Sequence, residues 1–159
     1  MAVQLRPIRD DEFADWLLST RRGYAEDLIR NAGVSAERAN AKAAADTEAL
    51  FPGGRPSDEQ SVFVVEADGE PVGDLWVAER DVGEGRFLWV YDVQVAAEQR
   101  GRGYGKAAML LAEDEARRRG LDRVALNVSG GNTVARGLYR SLGYEENAIA
   151  MSKRIERGS

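Results

Sequence analysis

The chain has 159 residues, a net charge of −5, and neither cysteine nor histidine. This length suits one domain with a hydrophobic core, and 43% hydrophobic with 31% charged residues is typical of globular proteins. Without cysteine there is no disulfide, no thiol nucleophile and no thiolate metal site, and without histidine the commonest general base is missing.

The same composition limits the partners, cofactors and location that we expect. An acidic protein disfavours nucleic acid as a partner, and the lack of an apolar run of about 18 residues predicts no contact with a membrane by a spanning helix. The start of the sequence, MAVQLRPIRDDEF, lacks the apolar core of a signal peptide, so we expect a cytoplasmic protein. We expect no metal cofactor, although a magnesium site built from oxygen ligands alone stays open.

The N-terminal half predicts two helices followed by a meander of three strands. Apolar residues recur at helical intervals in the first two segments, while β-branched and aromatic residues dominate the next three. Gly33 marks the end of the first helix, and Ser35 is the expected N-cap of the second. The predicted helices cover residues 10–33 and 35–51, and the predicted strands cover 61–67, 72–80 and 86–95.

The C-terminal half predicts strand–helix crossovers. A helix over 104–119, a strand over 123–128 and a helix over 133–142 are followed by one or two strands within YEENAIAMSKRI. The predicted order is therefore α-α-β-β-β-α-β-α-β. A meander followed by crossovers implies an α/β fold, with a mixed sheet and helices packed on its faces.

The stretch EQRGRGYGKAAML, residues 98–110, alternates three glycines with basic and aromatic residues just before a predicted helix. Glycine lets the backbone approach a ligand closely and adopt positive φ, and the first amides of a helix lack intrahelical acceptors. These amides, the helix dipole and the basic side chains favour an anion such as phosphate or pyrophosphate. A glycine-rich helix entry without a ligand explains the glycines equally well. The loop residues are Arg100, Gly101, Arg102, Gly103, Tyr104, Gly105 and Lys106.

Two familiar nucleotide motifs do not fit this loop. The P-loop needs a hydroxyl residue after its lysine, but Ala107 follows Lys106. The dinucleotide fingerprint needs a third glycine that the residues after Gly105 do not supply. A nucleotide-binding protein of another fold stays open as an alternative function.

The spacing Arg/Gln-x-x-Gly-x-Gly/Ala fits residues 100–105, within VYDVQVAAEQRGRGYGKAAMLLAEDEARRRG. A second stretch, LNVSGGNTVARGLYRSLGYEE, follows at the expected separation. Together they resemble the GNAT superfamily of acyl-CoA N-acyltransferases. The resemblance implies a GNAT-like fold with three α/β/α layers in a single domain over residues 1–159. It also implies a helical part, 1–57, that shapes the acceptor site, and an acetyl-CoA-binding core over 86–146.

The resemblance assigns the cofactor contacts residue by residue. Backbone groups of Val93 and Val95 would bind the pantetheine arm of acetyl-CoA where two parallel strands separate. The amides from Arg100 through Lys106 would hold its pyrophosphate. Asn132 would add a side-chain contact to the cofactor, although an N-cap role alone also explains an asparagine at the start of a helix.

The resemblance also implies that Tyr139 protonates the departing CoA thiolate, whereas a half-buried core tyrosine is the structural alternative. The residues alone suggest Tyr91 or Asp92 as the base for the acceptor amine, with Asn127 as a polar wall and a base acting through water as a further alternative. Period-two alternation predicts that Tyr91 and Asp92 lie on opposite faces of their strand. Asp92 is explained equally well as a solvated or salt-bridged carboxylate.

Aromatic and acidic residues of the N-terminal half suggest an acceptor pocket. Aromatic side chains could line such a pocket, although core packing explains them better. The acidic run at residues 10–15 hints at a cationic acceptor, although a helix start commonly carries acidic residues. The aromatic residues are Trp16, Tyr24, Trp76 and Trp89.

The predicted function is transfer of an acetyl group from acetyl-CoA to a primary amine by direct attack in a ternary complex. The acceptor would be a small or peptidyl amine, with no nucleic acid and no membrane as partner, and a homodimer stays open. The alternatives are a non-catalytic sensor that binds CoA or acyl-CoA, and transfer of an acyl group larger than acetyl. Absence of cysteine argues against a thiol acyl-enzyme.

Overall fold

The computed structural model describes residues 2–83 and 85–158, and within them five strands form one mixed sheet with four α-helices. The sheet order is β1-β2-β3-β4-β5, antiparallel from β1 to β4 and parallel between β4 and β5. The elements are β1 Val3–Pro7, α1 Asp10–Ala32, α2 Ala36–Leu50, β2 Ser61–Ala67, β3 Glu70–Asp81, β4 Arg86–Val95, α3 Tyr104–Arg118, β5 Val124–Leu126 and α4 Thr133–Ser141.

Helices cover both faces of the sheet, which makes three layers and confirms the predicted α/β class. On one face, α3 buries Ala108, Met109 and Ala112 against the sheet, and α4 packs at the edge of this core. On the other face, α1 places Phe13 and Trp16 on β2 and β3. Helix α2 packs on α1 through a small alanine core rather than on the sheet. The functional division into 1–57 and 86–146 stays a prediction.

Local signals in the sequence set several element ends as predicted. Gly33 ends α1 at φ 64°, a left-handed conformation that glycine adopts without strain. The Ser35 hydroxyl caps α2 by accepting a hydrogen bond from the Arg38 amide at 3.3 Å. Asp68 and Gly69, both with positive φ, close the two-residue turn between β2 and β3.

The predicted order is wrong at both ends of the chain. Strand β1 is absent from the predicted order, and it pairs with β2 from Val3 opposite Ala67 to Pro7 opposite Phe63. Its five residues include a proline, so the segment lacks a strong strand pattern and depends on its partner for order. The strand predicted within YEENAIAMSKRI is not formed, because residues 145–158 are exposed and pair with no other strand in the described part of the chain.

The outer edge of β5 explains why the C-terminal segment stays unpaired. Strand β5 has only three residues, half the length predicted for it, so it offers a short template for backbone pairing. Residues 147–150 face residues 124–129 across an open groove. The alternation of Ile149 and Met151 therefore produces exposed apolar side chains instead of a strand with one buried face.

Candidate active site

Strand β4 loses its parallel partner halfway along its length. Leu88 to Val90 pair with Val124 to Leu126, and residues 91–95 have no partner on β5. On the other side of β4, Trp76 pairs with Asp92 and Val77 pairs with Val90, so Tyr91 is an extra residue, a β-bulge. Because a bulge bends its strand and increases the local twist, β4 separates from β5 at this point.

The separation leaves backbone groups of β4 without a strand partner. The Ala96 amide donates a hydrogen bond to the Val72 carbonyl of β3 at 2.9 Å. Because successive residues point their backbone groups to opposite sides, those of Val95 and Val93 point away from β3 toward the gap. The Val95 carbonyl accepts a hydrogen bond from Arg100 Nε at 3.1 Å. Val93 and Val95 are the two positions that the resemblance assigns to the pantetheine arm.

The glycine loop connects this end of β4 to the N-terminus of α3. Gly101 and Gly103 have φ of 78° and 85°, and beyond the adjacent residues of the chain no atom lies within 4 Å of a Cβ placed on either residue. Gly103 is the N-cap residue, so the amides of Gly105 and Lys106 stand in the first turn of α3 without intrahelical acceptors. The loop therefore presents a row of backbone donors beside basic side chains.

The middle of α4 lies close to the first turn of α3. A Cβ placed on Gly105 would be 3.5 Å from Leu138 Cδ2 and 3.9 Å from Val95 Cγ2, so α3, α4 and β4 meet there. Asn132 caps α4, because its Oδ1 accepts a hydrogen bond from the Ala135 amide at 3.1 Å. The structural interpretation of Asn132 as an N-cap is confirmed.

Tyr139 extends from α4 toward the strand that carries Asp92. Its ring packs partly buried against the core under α3 and lies edge-on to Tyr144, with ring centroids 5.9 Å apart. Burial, with the nearby charge of Asp92, raises the pKa of Tyr139. The phenol is therefore protonated at neutral pH, and Asp92 is close enough for its charge to act on it.

The predicted alternation along β4 is wrong at Tyr91 and Asp92. The Tyr91 ring stacks on Trp76, with centroids 4.4 Å apart and planes inclined by 15°. Asp92 lies directly opposite Trp76 on β3. Tyr91 and Asp92 therefore lie on the same face of the sheet as Trp76, the face that α1 covers. Val90 and Val93 pack together into the core on the α3 face. The extra residue of the bulge shifts the alternation by one position.

Asp92 has a neighbouring carboxylate, Asp74, which is not among the predicted site residues. Gln94 Nε2 donates a hydrogen bond to Asp92 Oδ2 at 3.1 Å, and Trp16 Nε1 donates one to Asp74 Oδ1 at 3.3 Å. Burial raises the pKa of Asp92. Burial and the charge of Asp92 raise the pKa of Asp74 to about 6. The signal for Asp74 was its period-two spacing from Trp76 on β3.

The four aromatic residues suggested for an acceptor pocket separate into different places. Trp16 and Trp76 meet edge-on, with centroids 5.5 Å apart, beside the two carboxylates. Tyr24 lies elsewhere, where its hydroxyl donates a hydrogen bond to Asp46 of α2 at 2.7 Å. Trp89 lies further along β4, with the Arg80 guanidinium 4.8 Å from its ring centroid.

The acidic run at residues 10–15 has a structural explanation, and Asn127 has no observed connection to this site. Glu12 of the acidic run binds Arg6 at 2.8 Å and accepts a hydrogen bond from the Arg9 amide at 2.9 Å, which fixes the start of α1. The hydrogen bond from Arg6 lowers the pKa of Glu12 to about 2. Asn127 follows β5 and is exposed. Residues 2–83 and 85–158 contain no group of three or more acidic side chains arranged to hold a metal ion.

Comparison with known proteins connects this geometry to a family. A family model described as the acetyltransferase (GNAT) family matches residues 29–144. The chain belongs to the acetyltransferase (GNAT) family. The matched segment runs from the last turn of α1 to Tyr144, three residues beyond the end of α4, and it includes β4, the glycine loop and Tyr139.

Relatives of this GNAT chain carry the same activity in their names. It is 27% identical over 156 residues to an uncharacterized N-acetyltransferase of Bacillus subtilis, YycN, covering 98% of this chain and 100% of YycN. The crystal structure of YycN, a putative acetyltransferase, matches with a TM-score of 0.90 at 26% identity, over 98% of this chain and 100% of that one. The chain is accordingly an N-acetyltransferase.

More distant matches agree on part of the chain or on the fold. A mycothiol acetyltransferase of Thermobispora bispora is 40% identical over 90 residues, which is 55% of this chain and 30% of that protein. A predicted acetyltransferase of Clostridium acetobutylicum, solved with acetyl-CoA, has a TM-score of 0.60 at 14% identity over 96% of each chain. In the described part of the GNAT chain, no helix combines the length and apolar character needed to cross a membrane.

Proposed function

We propose that this N-acetyltransferase transfers an acetyl group from acetyl-CoA to a primary amine by direct attack in a ternary complex. The observation that carries the proposal is the separation of β4 from β5 at the Tyr91 bulge. The separation leaves the backbone groups of Val93 and Val95 without a partner on β5, and the glycine loop follows directly after this end of β4. An extended amide-containing cofactor with a phosphate end matches that sequence of donors and acceptors.

The cofactor-binding residues form what we call the donor side: Val93, Val95, the loop from Arg100 to Lys106, Asn132 and Tyr139. The pantetheine amides bond to the open edge of β4, as a short additional strand would. The pyrophosphate accepts hydrogen bonds from the first amides of α3, where the helix dipole also favours a negative charge. Asn132 keeps its cap and offers its amide NH₂ to the cofactor.

The transfer step follows from the groups near the end of the cofactor. The amine nitrogen attacks the thioester carbon and a C–N bond forms. The nitrogen then releases one proton to solvent, and the C–S bond breaks with its electron pair staying on sulfur. Tyr139 gives its proton to the thiolate and regains one from solvent, so the products are an amide and free CoA. The raised pKa of Tyr139 supports this role, because the phenol arrives protonated.

The acceptor site that we propose lies on the α1 face of β3 and β4. We call it the acceptor side: Trp16, Asp74, Trp76, Tyr91 and Asp92. Asp92 accepts the proton of the incoming ammonium, directly or through one water molecule, which frees the nitrogen lone pair for attack. Tyr91 is partly buried and stacks on Trp76, which belongs to the core under α1, so it lies at the border between that core and the carboxylates. Small or peptidyl amines are the acceptor class, and a homodimer and a cytoplasmic location stay predictions.

The test is a thiol-release screen of acetyl-CoA against a panel of primary amines, repeated with propionyl-CoA. We expect acetyl-dependent release of CoA with at least one amine and a loss of about 100-fold in kcat for Asp92→Asn. The matched control is Asp68→Asn, which removes a carboxylate from the β2–β3 turn away from the site. Binding of CoA without turnover of any amine would favour the sensor, and binding of ATP without CoA would contradict the proposal. Faster release from propionyl-CoA would favour the larger acyl group.

A further inference from the structure

Asp74 and Asp92 are diagonal neighbours on one face of the sheet. In the β3–β4 register, Asp74 pairs with Gln94 and Trp76 pairs with Asp92, so the two carboxylates lie two residues apart across the strand pair. At this position in an antiparallel pair, side chains remain within interaction range. Both side chains are partly buried and project to the side that α1 covers. The strand register, rather than a flexible surface, therefore sets their separation.

No cation compensates these two charges within the residues that the structure describes. Every ion pair in residues 2–83 and 85–158 leaves Asp74 and Asp92 out. The hydrogen bonds that the two carboxylates accept come from neutral groups, namely Trp16 for Asp74 and the Gln94 side chain and Val93 backbone for Asp92. A partly buried carboxylate without a cation holds its proton more tightly, and a second one beside it strengthens the effect.

Two phenols lie near the pair. They are Tyr91 of the same strand pair and Tyr139 of α4, whose pKa the charge of Asp92 raises. From β2 the apolar Val64 lies opposite Asp74. Arg6 lies one strand further in the same row, opposite Val64, but its guanidinium binds Glu12 and Glu66. Asp92 is therefore the charged group that acts on Asp74.

We infer that Asp74 is a positioning residue for the transfer: it acts through Asp92 to favour acceptors that arrive as ammonium ions. The inference rests on the function proposed above. When Asp92 takes the proton, the N–H bond of the ammonium breaks, its electron pair stays on nitrogen, and Asp92 becomes neutral. This neutralisation relieves the repulsion between the two carboxylates, so an ionised Asp74 makes Asp92 a stronger base. The pair of negative charges also attracts the cationic form of the amine before the proton moves.

A single isosteric change tests this role. Asp74→Asn removes the charge, while its amide oxygen can still accept the Trp16 hydrogen bond. With a primary alkylamine at pH 7, we expect kcat to fall about five- to tenfold and the acid limb of the kcat/KM profile to move to lower pH by about one pH unit. The KM for acetyl-CoA stays unchanged, because Asp74 lies on the opposite side of the sheet from the glycine loop.

The control and the substrate comparison separate this role from a structural one. Glu70→Gln removes an exposed carboxylate from the same strand and should leave the profile unchanged. Asp74→Glu, which keeps the charge, should restore most of the acid limb. An aromatic amine, already neutral at pH 7, should lose less than about twofold in Asp74→Asn, because no ammonium proton has to be removed.

Direct titration makes the two proposals distinguishable. Carboxyl ¹³C NMR follows the protonation of Asp92 in the wild type and in Asp74→Asn without any turnover, and we expect its pKa to fall in the variant. Turnover with an unchanged pH profile, or an unchanged Asp92 titration, overturns the inference about Asp74 and leaves the transferase proposal standing. Absence of turnover in the wild type with every amine overturns both.

Discussion

The donor side and the acceptor side of strand β4 are built from different parts of the polypeptide. The donor side consists mainly of backbone groups, namely the open edge at Val93 and Val95 and the first amides of α3. The acceptor side consists of side chains contributed by α1, β3 and β4. The single bulge at Tyr91 serves both sides, because it opens the edge of the strand and places Tyr91 beside Asp92.

This difference explains how the two sides respond to sequence change. A backbone site needs the right conformation at a few positions and tolerates many side chains elsewhere, so one loop can bind one cofactor in chains of low identity. A side-chain site changes with every substitution on its surface. Trp16 and Asp74, which share a hydrogen bond, are 58 residues apart in the chain. Acceptor choice can therefore vary while the donor side stays the same.

The largest effect on the donor side that we expect is a loss of kcat when Tyr139, the proposed proton donor, is replaced. Tyr139→Phe should lower kcat about 100-fold, because the CoA thiolate loses its proton donor, and should leave the Kd of CoA within about twofold. Steady-state assays of acetyl transfer measure kcat, and calorimetry with CoA measures the Kd. Tyr144→Phe is the control, since its ring lies next to Tyr139 while its hydroxyl donates to Glu113 at 3.3 Å. Equal losses of kcat in both variants would make Tyr139 a packing residue.

The next effect tests whether the donor side depends on backbone conformation. Gly103 has φ of 85° at the N-terminus of α3, and a β-branched residue there is strained. Gly103→Val should shift the first amides of the helix and raise the Kd of CoA about tenfold, the cost of about one charged hydrogen bond. Gly120, with φ of 74° beyond the other end of α3, provides the control. If Gly120→Val weakens CoA binding equally, the loss reflects stability rather than the loop.

The sequence predicted the donor side better than the acceptor side for a physical reason. Positive φ at Gly101 and Gly103 and the cap at Asn132 are local requirements, so they leave local signals. The Tyr91 bulge depends on how β4 pairs with β3, and β1 depends on pairing with β2, so neither has a signal within its own segment. Because the bulge adds one residue to β4, Tyr91 and Asp92 lie on the same face, whereas simple alternation predicted opposite faces.

The C-terminal segment shows the opposite error. In the C-terminal segment Ile149, Met151 and Ile155 recur at even spacing, but a strand also needs a neighbouring edge, and β5 is only three residues long. The helices were predicted well, because their hydrogen bonds lie within the segment itself. Asp74 could have been selected from its period-two spacing with Trp76, but its proximity to Asp92 depends on strand register, which the sequence does not specify locally.

A smaller effect, on stability, tests the cost of the acceptor side. Burial and Asp92 raise the pKa of Asp74 to about 6, so the folded protein holds this proton more tightly than the unfolded chain does. Stability from this group is present below the unfolded pKa and is lost as pH rises to about 6 and above. Asp74→Asn should therefore raise the free energy of unfolding by about 1–3 kcal/mol at pH 8 and by close to zero at about pH 3.5.

Denaturant unfolding at the two pH values measures this gain, with Glu70→Gln as the control for removal of a carboxylate from β3. A variant that is more stable at pH 8 and slower in transfer would show that the acceptor side sacrifices stability for function. An equal gain at both pH values would contradict the ionisation argument, since at low pH the wild-type carboxyl is already neutral.

The smallest effect that we expect distinguishes the two roles of Asn132 on the donor side. Serine is as good an N-cap as asparagine, but its side chain lacks the NH₂ group and is shorter. Asn132→Ser should therefore keep the melting temperature and raise the Kd of CoA about threefold, as expected for one lost hydrogen bond. Asn132→Ala removes the cap as well, and should also lower the free energy of unfolding by about 1 kcal/mol. If Asn132→Ser binds CoA as tightly as the wild type, Asn132 acts on α4 alone, and the cofactor contact is wrong.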